Sequence, residues 1–231
     1  MKITIILLVS FFLMACTTDD GFRIENDSVL YEYPWNEGFG TQIEYLSADP
    51  NTFEILGDDN MTWARDKDNV FWQKHITEGI DPDKFVVLSQ KYAKDEEHVI
   101  CDGLILKEAD AKTFEVFKLE NGLGEIEVFG KDKYAVYKCE LRIPSSSVKS
   151  FKAFGGGFYG DKESINWQGL VLNVADVNSF RLLSGGYATD GRHIFYRGMH
   201  IINADFETFE VKSWGQAEDK NHKYANAYVE D

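Results

Sequence analysis

The chain repeats one unit of sequence with a constant period. When the aspartate of YATDGRHIFYRG is taken as a marker, aspartates in matching surroundings recur along the chain. The six markers are Asp66, Asp95, Asp132, Asp161, Asp190 and Asp219. Four of the five intervals between them are twenty-nine residues, and the second interval is eight residues longer, which places one insertion at 118–125. Because so short a unit cannot bury its own apolar face, the period predicts a stacked array of repeats.

Two aromatic positions recur in phase with the first five markers. An aromatic residue stands three residues before each marker, at Trp63, Tyr92, Phe129, Phe158 and Tyr187. A phenylalanine stands nineteen residues after each marker, at Phe85, Phe114, Phe151, Phe180 and Phe209. We expect these rings to form buried ladders between neighbouring copies.

Each copy has the composition of a β-meander. In the copy around Asp190, residues 187–189 and 194–196 are β-prone runs that flank the marker turn. A second turn follows eight residues after the marker, and at 102–103 it contains Asp-Gly, a strong hairpin signal. A second aspartate, such as Asp81 before Pro82, predicts the N-cap of one helical turn. A copy is therefore at least a three-stranded meander.

These patterns predict a mainly β fold of tandem meanders, each with a one-turn helix, stacked as an open curved array. A closed propeller-like ring is the alternative, although a unit of this length is short for a four-stranded blade. A looser first copy begins at Asp27, and a half-copy at 218–224 ends the array. Degenerate ends are typical of stacked repeats because the terminal units must present a soluble face.

The first fifteen residues have the pattern of a secretory signal, with Lys2 before an apolar run that ends in LMAC at Cys16. This ending resembles the lipobox of bacterial lipoproteins. The resemblance implies cleavage after residue 15 and a lipidated Cys16 that carries palmitate. It also implies that the acylated cysteine and an acidic tether occupy 16–21, which leaves 22–231 for the repeat domain that the period predicts. An ordinary secretory signal is the alternative.

The lipoprotein resemblance implies contact with a membrane through the lipid alone. Residue 17 is not an aspartate, which in lipoproteins favours delivery to the outer membrane, facing the periplasm or the cell surface. The chain has 24 basic and 39 acidic residues, a formal charge of -15. That charge disfavours binding to nucleic acid and to anionic headgroups. We expect a neutral, cationic or calcium-bridged partner, such as an envelope glycan or protein.

Four stretches resemble the repeat string of the DKNYY family. They are WARDKDNVFW at 63–72, YAKDEEHVICDG at 92–103, YATDGRHIFYRG at 187–198 and EDKNH at 218–222. The resemblance covers residues 27–224. It departs in the fourth copy, where Glu140 replaces the usual glycine and Ser147 replaces the second aspartate. No well-defined activity goes with the family, so the resemblance implies a repeat architecture and an envelope location but no chemistry.

Two cysteines remain in the repeat domain. Cys101 and Cys139 lie in neighbouring copies, at the sixth and the seventh place after their markers. On strands an odd offset directs two side chains to opposite faces. The offset therefore argues against a disulfide between them, although an oxidising compartment would permit one.

The recurring aspartates admit two interpretations. Carboxylates at a fixed spacing can supply oxygen ligands to calcium, or they can cap turns and helical turns. Ser147 stands at the second aspartate position of the fourth copy, and serine is a good N-cap but a poor calcium ligand. Capping is the favoured interpretation, and we expect neither a metal nor a cofactor.

The sequence has no motif of a metalloprotease, a nucleophile elbow or a phosphate loop. Glu120 and Glu125 flank the insertion and are candidates for the carboxylate pair of a glycoside hydrolase, with a solvated loop as the favoured interpretation. We expect a non-catalytic envelope protein that binds or scaffolds. The alternative is an envelope hydrolase with a site at 34–40 or 118–125.

A candidate ligand-binding surface lies six residues after the markers. Trp72, Trp167 and Tyr196 occupy this position in three copies, where they can line a surface for sugars or peptides. A second packed layer of aromatic side chains is the favoured interpretation. Rings that are exposed in one continuous patch would indicate binding instead.

Overall fold

The computed structural model describes residues 20–34, 40–57, 59, 61–143, 148–172 and 176–230. These residues form seven antiparallel sheets in tandem, and within each sheet every strand pairs with its neighbour in sequence. The predicted mainly β fold of tandem meanders is confirmed. No helix in the described ranges is both long and apolar enough to cross a membrane. Residues 1–15, Cys16 and most of the proposed tether lie outside these ranges.

Sheet 1 has three strands, and sheets 2 to 7 have four strands each. Sheet 1 contains β1 (Gly21–Glu25), β2 (Ser28–Pro34) and β3 (Thr41–Tyr45). Sheet 2 contains β4 (Glu54–Leu56), β5 (Trp63–Arg65), β6 (Val70–Trp72) and β7 (His75–Ile76). Sheet 3 contains β8 (Val86–Val87), β9 (Tyr92–Lys94), β10 (Val99–Cys101) and β11 (Leu104–Ile105). Sheet 4 contains β12 (Glu115–Glu120), β13 (Ile126–Lys131), β14 (Val136–Lys138) and β15 (Leu141–Ile143).

The last three sheets continue the pattern. Sheet 5 contains β16 (Lys152–Gly155), β17 (Phe158–Gly160), β18 (Ile165–Trp167) and β19 (Leu170–Val171). Sheet 6 contains β20 (Arg181–Leu182), β21 (Tyr187–Thr189), β22 (Ile194–Tyr196) and β23 (Met199–His200). Sheet 7 contains β24 (Glu210–Ser213), β25 (Gln216–Glu218), β26 (Lys223–Ala225) and β27 (Tyr228–Val229). Our expectation that the repeat unit is short for four strands was wrong, because strands of two to four residues with tight turns fit within one period.

The predicted one-turn helix is tighter than an α-helical turn. Residues Val148–Ser150 form a 3-10 helix. In other copies the same place is a single hydrogen-bonded turn, such as the one in which the Lys84 N–H donates to the Asp81 carbonyl at 3.2 Å. The connection between sheets is therefore short, and it brings neighbouring sheets close together.

Every hydrophobic cluster in the described part of the chain joins two consecutive sheets. Phe180, for example, packs with Phe158 of sheet 5 and Phe195 of sheet 6. The predicted ladder rings Trp63, Tyr92, Phe129, Phe158 and Tyr187 are all buried. Because side chains alternate across a strand, each interior sheet buries both of its faces, one against the preceding sheet and one against the next.

The outer face of sheet 7 carries charged and polar side chains together with the exposed ring of Tyr228. On this face Lys212 forms salt bridges with Glu210 (2.7 Å) and Glu218 (2.8 Å), and Gln216 and Lys223 are exposed. This end of the stack is therefore open to solvent, which favours an open array over a closed ring. The curvature of the array stays a prediction.

Cys101 and Cys139 form a disulfide with an S–S distance of 2.09 Å, so the sequence-based argument against this bond was wrong. Cys139 follows β14 and has a φ of 49°, in the left-handed region. In all six copies the residue seven places after the marker adopts this conformation. The alternation of side chains applies along a strand and not across a turn, so the Cys139 side chain points back at Cys101 on the facing sheet.

Candidate functional site

The marker aspartates hold the central hairpin turns of sheets 2 to 7. In each copy Oδ1 accepts hydrogen bonds from the backbone N–H groups two and three residues later, at 2.5–3.0 Å. In sheet 6 the acceptor is the buried Asp190, and the donors are Arg192 at 2.9 Å and His193 at 2.7 Å. The carboxylate therefore satisfies N–H groups that a tight turn leaves without backbone partners.

The second oxygen of five markers holds the connection between sheets. Oδ2 accepts the N–H of the second aspartate at 2.7–3.1 Å in the five copies where that residue is described. The second aspartate caps its own turn, as Asp81 does by accepting the Asp83 N–H at 2.9 Å. Ser147, the exception in sequence, lies outside the described residues. We call the marker carboxylate with its three backbone donors the aspartate staple.

The staples favour capping over calcium binding. Burial acts to raise the pKa of Asp190, but hydrogen bonds from the His193 ring and from backbone N–H groups outweigh it and hold that pKa below its ordinary value. Burial acts in the same way on Asp219, and the backbone N–H of Asp205 together with the Tyr224 hydroxyl holds its pKa at about 2. These carboxylates are already surrounded by donors, which a cation would have to displace.

The three aromatic residues of the candidate binding surface are not fully exposed to solvent, as the rings of a binding surface would be. Tyr196 is only 4% exposed, and Trp72 and Trp167 are half-buried. A Cβ atom at Gly103 would lie 3.0 Å from the Trp72 ring, and one at Gly198 would lie 2.8 Å from the Trp167 Cβ. Each tryptophan thus packs on a glycine turn of the next sheet. Each of the three rings is therefore packed in its own interface between sheets, which agrees with the favoured interpretation, and they do not form one exposed patch.

In sheet 4 the position six residues after the marker holds a charged residue that forms a salt bridge. Lys138 replaces the aromatic residue, donates to the Tyr159 hydroxyl at 2.6 Å and forms a salt bridge with Glu127. The Asn121 side chain donates to the other Glu127 oxygen at 2.8 Å. Burial acts to raise the pKa of Glu127, but the hydrogen bonds from Lys138 and Asn121 lower it overall. The pair is therefore charged and satisfied, a role that sequence reasoning missed because the two residues belong to different strands.

The insertion lengthens the first hairpin of sheet 4. Strands β12 and β13 have six residues each, and their tip lies at 121–125. Asn121 fixes the tip through its Oδ1, which accepts the Glu125 N–H at 3.1 Å. The Gly122 N–H donates to the Ala153 carbonyl of sheet 5 at 3.2 Å. The tip of the long hairpin is thus hydrogen-bonded to sheet 5, and the opposite face of the hairpin points toward sheet 3.

A groove of about 950 Å³ lies on that other face. It runs along the short first strand of sheet 3, between the first strands of sheets 2 and 4. Its apolar lining comes from all three sheets and includes Leu56, Val86, Val87, Leu88, Val116 and Val128. Because β8 has two residues and the neighbouring β12 has six, the long hairpin overhangs the short one. The break in the repeat period therefore makes the groove.

Basic side chains predominate among the charged groups of the groove. Arg65, Lys91 and Lys118 line it together with one carboxylate, that of Asp59. Lys118 is exposed and belongs to the insertion. The insertion was the signal in the sequence that pointed to this site. The groove itself depends on how sheets 2, 3 and 4 pack together, and the sequence did not predict that packing.

The remaining predicted candidates take other positions. Glu120 and Glu125 are exposed and do not line the groove, and Glu125 accepts a hydrogen bond from the Asn121 side chain at 3.0 Å. The ring Nδ1 of His193 lies 2.8 Å from Asp190 and that of His98 lies 3.2 Å from Asp95, so both belong to staples. Of the irregular segment 34–40, only the two end residues are described.

Comparison with known proteins identifies the repeat. No curated protein and no solved structure matches this chain. The model of the DKNYY family matches residues 22–169 and, in a second register, residues 78–228. The two matches together span residues 22–228, which reach into all seven sheets and include the insertion and the groove. The chain is a member of the DKNYY family.

Proposed function

We propose that this protein is a lipid-anchored component of the bacterial cell envelope that binds a partner and is not a catalyst. Cys16 carries the lipid, the chain is delivered to the outer membrane, and the repeat array displays the groove between sheets 2, 3 and 4. The observation that carries the binding role is the groove itself, a cleft of about 950 Å³ with apolar and polar lining at the insertion in the fourth copy. Ligand sites of proteins are typically clefts of roughly this size with a few placed polar groups.

The disulfide between Cys101 and Cys139 supports the location outside the cytoplasm. Disulfides persist in oxidising compartments and are rare in the bacterial cytosol. The apolar segment that ends in LMAC at Cys16 supports export and acylation.

The staples support a structural role for the recurring carboxylates, since their oxygens are taken up by backbone N–H groups. Among the described residues, no observation favours the hydrolase alternative. That alternative makes its own prediction: activity on an envelope glycan would be lost in the variants Glu120→Gln and Glu125→Gln.

Labelling with radioactive palmitate tests the anchor. The wild-type chain should incorporate label and sediment with membranes, and the Cys16→Ser variant should do neither. Incorporation of label by the Cys16→Ser variant would contradict the assignment.

The binding role has a separate test, in which purified protein is presented to arrays of envelope glycans and envelope proteins. We expect a partner that the wild-type chain retains and that a groove variant, Val86→Asp, releases. Equal retention by both would place binding elsewhere than in the groove.

A further inference from the structure

We infer that the groove takes an acidic protein segment in extended conformation, which adds as a strand along β12. This inference rests on the binding role proposed above and names the chemistry of the partner. Three observations carry it: an unpaired strand edge, an apolar cleft beside that edge, and basic side chains in an otherwise acidic chain.

The strand edge is the first observation. β12 pairs with β13 on one side and has no strand on the other in the described part of the chain. The first strands of the other four-stranded sheets have two to four residues, whereas β12 has six. A long open edge is a template for an added strand, and proteins ordinarily shorten or cover such edges.

The hydrogen-bond phase shows which groups of β12 are free. The Asn121 N–H donates to the Glu125 carbonyl at 2.9 Å, so the backbone N–H of Asn121 points into the hairpin, toward β13. Bonded and non-bonded pairs alternate along an antiparallel ladder. The N–H and carbonyl groups of Val116, Lys118 and Glu120 therefore point away from β13, toward the open edge. Three donors and three acceptors are thus available to an incoming strand.

The cleft beside this edge has room for side chains of that strand. Val116 and Val128 face sheet 3, where they pack, as Leu88 does, against the buried cluster that includes Tyr92. Across the groove, Val86 is 52% exposed although it lies next to these apolar residues. Every second residue of an added strand would face this cleft, where an apolar side chain fits beside Val116 and an acidic one beside Lys118, which lies on the same face.

Charge selects the kind of segment. The chain has 39 acidic and only 24 basic residues, yet three of the four charged residues that line the groove are basic. Arg65 is engaged by Glu54 at 2.8 Å, and Lys91 lies 3.6 Å from Asp102. Lys118 forms no salt bridge with any described residue, so it is the cation available to a ligand. Opposite charge across an interface favours the correct partner and speeds encounter.

The test uses a soluble eight-residue peptide in which every second residue is threonine and the residues between them are valine and glutamate in turn, so that one face carries both. The peptide is labelled with a fluorophore, and the full chain is purified in detergent. Fluorescence anisotropy at low salt should show saturable binding, and the same peptide with lysine in place of glutamate should bind at least about ten-fold more weakly. Amide hydrogen exchange should slow at Val116, Lys118 and Glu120 when the acidic peptide is bound. Binding without that protection, or equal binding of both peptides, would overturn the inference.

Substitutions at Lys118 separate the backbone from the charge. Lys118→Ala keeps the outward N–H and should weaken binding about three-fold, and Lys118→Pro removes that N–H and should abolish binding. Lys118→Glu should weaken binding at least about ten-fold, whereas Lys152→Glu, the same change on the exposed first strand of sheet 5, should leave it unchanged. Circular dichroism and melting temperature check the fold of each variant. If Lys118→Pro does not fold, amide protection in the wild-type chain decides the question.

A dodecanoate titration supplies the competing outcome. Saturable binding of dodecanoate, together with failure of the acidic peptide, would assign the groove to a small anionic amphiphile and overturn the strand-addition inference. The broader binding role would then stand, and the palmitate experiment on Cys16 is independent of both.

Discussion

Sheets 4 and 6 share the same four-strand meander and the same staple, but they fill the layer six residues after the marker in different ways. In sheet 6 this position is Tyr196, whose ring lies 4.9 Å from that of Tyr187. In sheet 4 it is Lys138, held by Glu127 and by the Tyr159 hydroxyl. The layer between sheets 3 and 4 is closed by the disulfide of Cys101.

The difference follows from the insertion. Glu127 lies on β13, which the insertion lengthens to six residues, whereas β21, the corresponding strand of sheet 6, has three. The longer strand supplies the countercharge without which Lys138 would be an unpaired cation against an apolar interface. A repeat can therefore replace an aromatic contact by a charged one where extra strand length provides the partner.

The largest expected effect concerns the core that both regions share. Phe114→Ala, next to sheet 4, and Phe180→Ala, in the interface of sheets 5 and 6, should each lower the free energy of unfolding by about 3–5 kcal/mol, because both rings are buried. Urea melts measure the change, and Leu170→Ala, at a residue that is 59% exposed, is the matched control. If either phenylalanine variant melted at the same urea concentration as the wild-type chain, the two rings would not contribute equally to the core.

The next effect belongs to the region of sheets 3 and 4. Replacing both cysteines, Cys101→Ser with Cys139→Ser, should lower the free energy of unfolding by about 2–4 kcal/mol, because the disulfide closes a loop over a sequence separation of 38 residues. A reducing agent should lower the melting temperature of the wild-type chain and leave that of the double variant unchanged. An equal response of both proteins to the reductant would show that the bond contributes nothing.

A smaller effect distinguishes the ionic layer from the aromatic one. Lys138→Met should lower the free energy of unfolding by about 1–3 kcal/mol, because it leaves the mostly buried Glu127 carboxylate without its cation. Adding Glu127→Met should recover most of that loss. A double-mutant cycle in urea measures the coupling, and additive single effects would mean that the salt bridge is incidental.

The smallest expected effect is a pH response. The pKa of Asp219 is about 2 in the folded chain and is near its ordinary value of about 3.9 in the unfolded chain. A lowered pKa stabilises the fold above the unfolded value, so this contribution, about 1–2 kcal/mol, is lost as pH falls from about 5 toward 2. Melts across this range should show a shallower pH dependence for Asp219→Asn than for the wild-type chain. Parallel pH profiles for the two proteins would show that the ionised Asp219 carboxylate does not contribute to stability.

The repeat made much of the fold predictable. Comparing the chain with itself identified the marker aspartates as turn residues and Phe180 as core, because an equivalent residue recurs in equivalent surroundings. The disulfide was missed although a signal was present: Asp-Gly at 102–103 already placed the seventh position in a turn, and Cys139 occupies that position. The groove and the Lys138 salt bridge were beyond the sequence because they arise where the repeat is broken and depend on contacts between sheets.

The aspartate staple also bears on how such an array gains new features. In sheets 3, 6 and 7 the staple joins residues 14 apart in sequence, and in sheet 4 it joins Asp110 and Asp132, which are 22 apart. Loop-closure entropy grows only with the logarithm of length, so the longer loop costs about 0.4 kcal/mol more. The staple fixes each copy at the connection between sheets. The first hairpin of a copy can therefore lengthen at its tip while the other sheets keep their positions in the stack. For a change confined to one copy, closing the longer loop therefore costs less than burying one methylene group gains, about 0.8 kcal/mol, and the contacts of the added strand residues must offset only the cost of ordering them.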